Sequence, residues 1–336
     1  MTSYFFYPSV GGIETVSMIL AREFSTLGHK VTVVTTTPAG DAPSEFPFDV
    51  VRQPKTGRFI ELLKTCDVFF QNNISMRTAW PLTIVRRPWV VAHHTTITRP
   101  DLRIGWEDRL KRWALRFARS ISVSQAIAAD LPVESKVIPN PYRDDVFHEM
   151  AGVERTRELA FLGRLVSKKG PDLLVDALGH LKTDGLTPRL TFIGAGEEQQ
   201  RLQERAKSSG VDSQIEFAGM KTGNELVKLL NAHKIMAIPS REGEAFGVVA
   251  LEGIACGCVV VGSDSCGLPD AIGPCGITFP CGDSKALASS LAHLLRNPER
   301  LNEYRQNARV HLQRHTPNEV AREYLEVLKT AVGMAR

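Results

Sequence analysis

The chain has 336 residues, with 41 Lys+Arg against 37 Asp+Glu, 43% hydrophobic residues and 23% charged residues. This ordinary globular composition excludes disorder, collagen and coiled coil as readings of the whole chain, and the length suggests two domains. The net charge of +4 is too small to make nucleic acid the default partner. It is unevenly spread, because residues 52–119 hold 14 Lys/Arg and 5 Asp/Glu. A basic block of that size favours an anionic partner such as phosphate or lipid headgroups. The plainer reading is a solvated face.

No run of about 18 apolar residues is present, so no transmembrane helix is expected. The N-terminus lacks the basic start, apolar stretch and small-residue cleavage site of a signal peptide. A cytoplasmic chain is the expectation. Five of six cysteines (Cys256, Cys258, Cys266, Cys275 and Cys281) fall close together. Their spacing does not give paired C-x2-C knuckles and no histidine sits among them, so zinc is not expected. Cys256 and Cys258 lie in an apolar run, where free cysteine behaves as a small hydrophobe.

Short apolar runs alternate with amphipathic segments along the chain. Expected strands cover 30–36, 68–71, 89–92, 120–124 and 136–138, then 159–165, 189–193, 215–218, 235–239, 258–262 and 276–279. Expected helices include 14–27, 171–181, 197–208 and 248–256. That alternation specifies an α/β fold with parallel sheets and helices on both faces. The two series imply two Rossmann-like domains, 1–150 and 151–310. The polar stretch after Asn140-Pro141 marks the break, and a C-terminal helical segment, 311–336, is a candidate to cross back to the first domain. The start is unusual. Only Tyr4 to Tyr7 precede the turn Pro8-Ser9-Val10-Gly11-Gly12, whereas a central strand normally takes about five residues. The first strand is therefore expected to be truncated, either short or begun upstream.

Four constellations carry candidate chemistry. Gly11 and Gly12 stand at a strand–helix turn, where glycine admits close backbone approach and the helix N-terminus offers N–H groups to an anion. A plain turn explains them equally well. Gly194-Ala195-Gly196 begins like a dinucleotide fingerprint, but Gln199 replaces the third glycine, so it reads as a turn. Gly163-Arg164 with Lys168-Lys169-Gly170 closes one strand and opens a helix. That places cations at the carboxyl end of a parallel sheet, where open α/β sheets bind ligands. Arg164 can fork onto two phosphate oxygens and Lys169 adds a point charge.

The fourth is the strongest. Pro239-Ser240-Arg241-Glu242-Gly243-Glu244-Ala245-Phe246-Gly247-Val248 follows a buried strand, and Glu252 lies just over one turn into the next helix. The amides of Phe246, Gly247 and Val248 would form a helix N-terminus suited to phosphate. Carboxylates are good acceptors for paired sugar hydroxyls. Glu252, among Leu251, Ile254 and Ala255, would be costly to bury without a partner.

These residues resemble the retaining GT-B glycosyltransferases of family four, whose mark is two glutamates separated by seven residues. Glu244-Ala245-Phe246-Gly247 with Leu251-Glu252 matches that mark, and Gly163-Arg164 with Lys169-Gly170 matches the family's diphosphate-binding pair. Pro8 with Gly11-Gly12-Ile13 matches its N-terminal loop, and Ser263 to Asp270 its later glycine-rich turn. The resemblance runs from Tyr4 to about Ala308. It implies two Rossmann-like domains facing across a cleft, with Glu252 on the donor ribose and Glu244 on the donor sugar. Arg164, Lys169 and Gly12 would meet the leaving diphosphate. His94, followed by Thr95, fits the family's sugar-contacting histidine better than His93 does.

Retention by leaving-group-face attack is implied, with no protein nucleophile. No Asp-x-Asp pair occurs, so neither a metal nor another cofactor is expected. The expected partners are a nucleotide sugar and a glycan, lipid-linked or small-molecule acceptor, in bacterial surface polysaccharide, lipopolysaccharide or glycolipid assembly. Cys266 stands where the family often has glycine, and Asp270 where it often has Glu.

Trp106, Leu110, Trp113 and Phe117 recur at helical spacing amid Arg109, Lys111, Arg112, Arg116 and Arg119. An anionic membrane surface is a candidate partner through the basic segment 99–119, with peripheral attachment to the cytoplasmic face. The simpler expectation is an amphipathic helix packing its aromatics on the first sheet. The alternatives to a transferase are a nucleotide-sugar epimerase or hydrolase on the same fold, or a non-catalytic nucleotide-sugar-binding module. A dehydrogenase is disfavoured by the incomplete glycine fingerprint.

Overall fold

The computed structural model describes residues 1–9, 11–40, 45–98, 105–241 and 244–334. The chain forms two compact units, Met1–Pro141 with Pro317–Arg336, and Tyr142–Thr316.

The first unit is built on seven parallel strands: β1 (Thr2–Ser3), β2 (Thr32–Thr35), β3 (Asp49–Arg52), β4 (Phe69–Asn72), β5 (Trp89–His93), β6 (Arg119–Ser122) and β7 (Ser135–Val137). Their order is β3-β2-β1-β4-β5-β6-β7. The second unit holds six parallel strands: β8 (Arg157–Leu162), β9 (Leu190–Ile193), β10 (Ile215–Gly219), β11 (His233–Ile238), β12 (Val259–Ser263) and β13 (Gly276–Phe279). Their order is β10-β9-β8-β11-β12-β13. In each sheet the order reverses once, between β1 and β4 and between β8 and β11. Loops leaving the carboxyl ends of strands at such a switch point diverge and leave room for a ligand.

Continuous apolar strands reflect burial on both faces of a parallel sheet. Leu159, Phe161, Val259 and Val261 are all essentially inaccessible, and they pack with Leu174, Leu178 and Leu181 of the helix Pro171–Thr183. The first unit's core joins Val16, Leu20 and Phe24 of the helix Gly12–Thr26 to Val320, Tyr324 and Leu328 of the helix Pro317–Gly333.

Several boundaries differ from expectation. The break falls at Pro141 rather than at 150, because the following segment bonds to the second unit. Tyr142 N donates to His315 O at 3.1 Å and Met150 N to Asn231 Oδ1 at 2.8 Å. The return segment begins at Pro317 rather than 311. The first strand is Thr2–Ser3, not Tyr4 to Tyr7. After Ser3 the chain leaves the sheet, with the Tyr4 carbonyl held by Thr36 N at 3.2 Å and Phe6 buried against Phe46 and Phe48. Strand β3 was not expected at all.

Candidate functional site

Two loops flank the β8–β11 switch point, and glycines set how closely they pack. Gly170 adopts a left-handed φ of 65°, and a Cβ there would stand 2.1 Å from the Pro239 carbonyl oxygen. Gly194 and Gly196 serve the same purpose on the other side. A Cβ on either would strike the carbonyl oxygen of Gly163 or Leu165, at 2.0 and 2.2 Å. The partial fingerprint is thus a packing turn against the Arg164 loop, as the sequence suggested. Arg241, whose role the sequence did not reveal, ties the two loops together. It forks onto Asp172 at 2.6 and 2.7 Å, donates to the Ser167 carbonyl, and its own amide reaches the Lys168 carbonyl at 2.8 Å.

On this scaffold Lys169 pairs directly with Glu244, which also accepts from the Ser240 hydroxyl at 3.3 Å. Arg164 is exposed, and its guanidinium meets no partner among the described residues. Gly247 is the N-cap of the helix Val248–Ala255, in left-handed geometry at φ 92°. A Cβ there would lie 2.7 Å from Leu268 Cδ1, so only glycine fits. The amides of Phe246, Gly247 and Val248 meet no acceptor among the described residues. Phe246 turns its ring inward, buried against His315. Glu242 and Gly243 lie outside the described residues.

Glu252 projects from the first turns of that helix. Its carboxylate has no hydrogen bond or ion pair among the described residues, and burial pushes its pKa up to about 7, only partly opposed by Arg143. Arg143 is itself committed to Asp145 at 2.7 Å. A sheltered carboxylate with its lone pairs open is costly to bury and apt for accepting ligand hydroxyls. The structure therefore brings Lys169 and Glu244 into contact and places Arg164, Glu252 and the free amides around the same switch point.

In the first unit, His93 ends β5 and His94 follows it, both buried. His94 Nε2 lies 2.6 Å from Asn72 Oδ1. Asn72 in turn donates through Nδ2 to Ser17 Oγ and, at 3.4 Å, to the Ile13 carbonyl. These acceptors orient the amide, so its oxygen faces the ring and His94 carries its proton on Nε2. His94 Nδ1 is a buried acceptor, and Asn140 is a further hydrogen-bonding neighbour of the ring. Burial holds the His94 pKa down to about 3 and that of His93 to about 4, so both are neutral. Asn72, absent from the sequence reading, links His94 to the glycine turn. The only available signal was a polar pair, Gln71-Asn72, closing an apolar strand. At the turn itself a Cβ on Gly12 would meet open space, whereas the Glu14 carboxylate folds over Gly11. Val10 lies outside the described residues.

The aromatic helix corrects the simpler expectation. Trp106 is 74% exposed, Trp113 54% and Phe117 67%. The inward side of the helix is mixed: Ala114 and the following Leu115 join the apolar core, Asp108 accepts from the Gly105 amide, and Arg112 pairs with Asp130 at 3.2 Å. Trp113 and Phe117 line a groove of about 810 Å³ together with Trp80, Arg86 and Arg87. Residues 99–104 of the basic segment lie outside the described residues. Among the described residues no helix is long and apolar enough to cross a membrane. Cys256 and Cys258 are buried free thiols, as their apolar run suggested, and Cys275 is buried as well.

Two family models match in tandem, Glycosyltransferase Family 4 over residues 10–144 and Glycosyl transferases group 1 over residues 144–311. Similar proteins include a D-inositol 3-phosphate glycosyltransferase of Saccharomonospora viridis, 34% identical over 53% of this chain and 44% of that protein. A phosphatidyl-myo-inositol mannosyltransferase of Mycobacterium leprae is 30% identical over 67% of this chain and 62% of that protein. The chain thus spans about half the length of the curated relatives it matches. Among solved structures, HepE of Anabaena in complex with UDP superposes with a TM-score of 0.80 over 98% of both chains at 20% identity. That likeness carries the fold, GT-B. The tandem models and the motif set on the β8 and β11 loops agree: the chain belongs to the group 1 glycosyl transferases of family four.

Proposed function

We propose that this chain transfers a sugar from a nucleoside-diphosphate sugar to a glycan, lipid-linked or small-molecule acceptor, with retention and without a metal, in bacterial glycolipid or surface polysaccharide assembly. The observation that carries the reading is the gathering of Arg164, Lys169, Glu244 and Glu252 around the β8–β11 switch point. The departing diphosphate gathers negative charge. Arg164, Lys169 and the amides of Phe246, Gly247 and Val248 oppose that charge with fixed cations and dipoles. Glu252 accepts from the ribose diol and Glu244 from the sugar. The similar phosphatidyl-myo-inositol mannosyltransferase supports a glycolipid-type acceptor and the D-inositol 3-phosphate glycosyltransferase a small-molecule one, and UDP in HepE supports a nucleotide donor. Roles for Gly11, Gly12 and His94 rest on the family resemblance.

The outward aromatic face, flanked by exposed Arg109 and Arg116, supports peripheral attachment to an anionic membrane surface. Aromatic side chains enter the interfacial layer while the cations meet headgroups.

The test is transfer or donor hydrolysis with a panel of UDP-, GDP- and ADP-sugars in the presence of a chelator. Glu252→Ala and Arg164→Ala are each expected to lose at least ~2 kcal/mol of transition-state stabilisation, about thirtyfold in rate. Near-normal turnover in either variant would sink the assignment. Binding without release of free diphosphate would show a binding module instead.

A further inference from the structure

We infer that the Lys169–Glu244 ion pair makes the donor site discriminate against the bare nucleoside diphosphate and in favour of the sugar-bearing donor. The inference rests on the donor-site reading above. Lys169 is the cation assigned to the diphosphate, yet its ammonium is taken by Glu244. The side chains are sheltered, 30% and 15% exposed respectively. Beyond Lys169, the Glu244 carboxylate has among the described residues only the Ser240 hydroxyl at 3.3 Å. Its backbone is fixed as well, since the Glu244 carbonyl accepts from the Gly267 amide at 3.1 Å. The carboxylate is thereby held beside its loop whether or not Lys169 stays with it.

A diphosphate and Glu244 are two anions competing for one ammonium group. When a bare nucleoside diphosphate takes Lys169, Glu244 is left half-buried, short of partners and close to new negative charge. Removing one partner of a sheltered charge pair is costly for that reason. When the nucleotide carries a sugar, its hydroxyls donate to Glu244 as Lys169 leaves, and charge-assisted hydrogen bonds replace the ion pair. The same residue therefore helps hold the donor and helps expel the spent nucleotide after transfer, when the pair re-forms. Arg164, which has no carboxylate partner among the described residues, is not subject to this exchange.

The test is titration calorimetry with UDP, GDP and ADP and their glucose conjugates, on the wild type, Glu244→Gln, Lys169→Met and the double variant, each checked for cooperative unfolding. Glu244→Gln should bind the best of the three diphosphates about fivefold more tightly. It should bind the matching sugar nucleotide no better than wild type. In the Lys169→Met background the same change should alter diphosphate affinity by under about twofold, because no pair remains to be broken. The inference is overturned if Glu244→Gln leaves diphosphate affinity unchanged or weaker. Equal tightening in both backgrounds also overturns it, since that would reflect removal of a distant charge. If none of the six ligands binds the wild type, the donor-site reading itself fails, and this inference with it.

Discussion

Glu252 should make the protein less stable as the pH rises, and removing its charge should reverse that. Its carboxyl has an ordinary value of 4.5 and a folded-state value of about 7, set mainly by burial. Between those values the folded protein holds a proton that the unfolded chain has released. Stability therefore falls as pH rises through that window and stays lower above it. The gap corresponds to a ceiling of roughly 3 kcal/mol. Glu252→Gln cannot titrate. It should match wild type near pH 4.5 and exceed it at pH 8 by up to about 3 kcal/mol. For a domain of this size that is about 5 °C or more in Tm. Donor binding should move oppositely. If the ribose diol needs the carboxylate, wild-type affinity at pH 5.5 should be weaker than at pH 8 by as much as ~2 kcal/mol, or thirtyfold. Glu252→Gln should bind weakly at both. Thermal unfolding and calorimetry of both proteins from pH 5 to 8.5 provide the assay. A stability difference independent of pH would refute the burial argument. Unimpaired donor binding by Glu252→Gln would refute the ribose role.

Three further outcomes follow from the geometry. Replacing Asn72 by Leu leaves His94 Nε2 without its partner, removes one of the hydrogen bonds of Ser17, and should cost about 2 kcal/mol of stability. In side-chain nitrogen NMR, His94 should lose its single Nε2–H form, and retention of that form would show that Asn72 does not set the tautomer. Trp113→Ser with Phe117→Ser should abolish co-sedimentation with anionic vesicles, and Arg109→Gln with Arg116→Gln should weaken it in a salt-sensitive way. Binding by neutral vesicles alone would count against the electrostatic part. Cys266, at φ 51°, occupies glycine-like backbone space. Cys266→Gly should raise stability by up to about 1 kcal/mol in chemical denaturation, and a loss of stability would mean that the thiol packs usefully.

The second unit was the more legible half, because its strands are long apolar runs and its glycines sit where loops must touch. Strand β13 was placed at its observed bounds. Strand β3 escaped notice because its apolar signal is only Val50 and Val51, set between Asp49 and Arg52. Strand β1 escaped because Thr2 and Ser3 are polar residues paired on both sides. The site residues of the family motif were found by type and spacing. Their partners were not: the Lys169–Glu244 and Arg241–Asp172 pairs join residues about 70 positions apart. Helical spacing identified the amphipathic stripe of Trp106, Trp113 and Phe117 but not its direction. Asp108 and Ala114 are the buried positions of that helix and Arg112 reaches Asp130, so the aromatics face outward.

The most direct test of the account is release of free nucleoside diphosphate from a panel of UDP-, GDP- and ADP-sugars, with chelator present, by wild type and Arg164→Ala. The account predicts release from at least one donor by the wild type and a loss of about thirtyfold or more in the variant. Donor binding with no release, or equal release by both proteins, would contradict it.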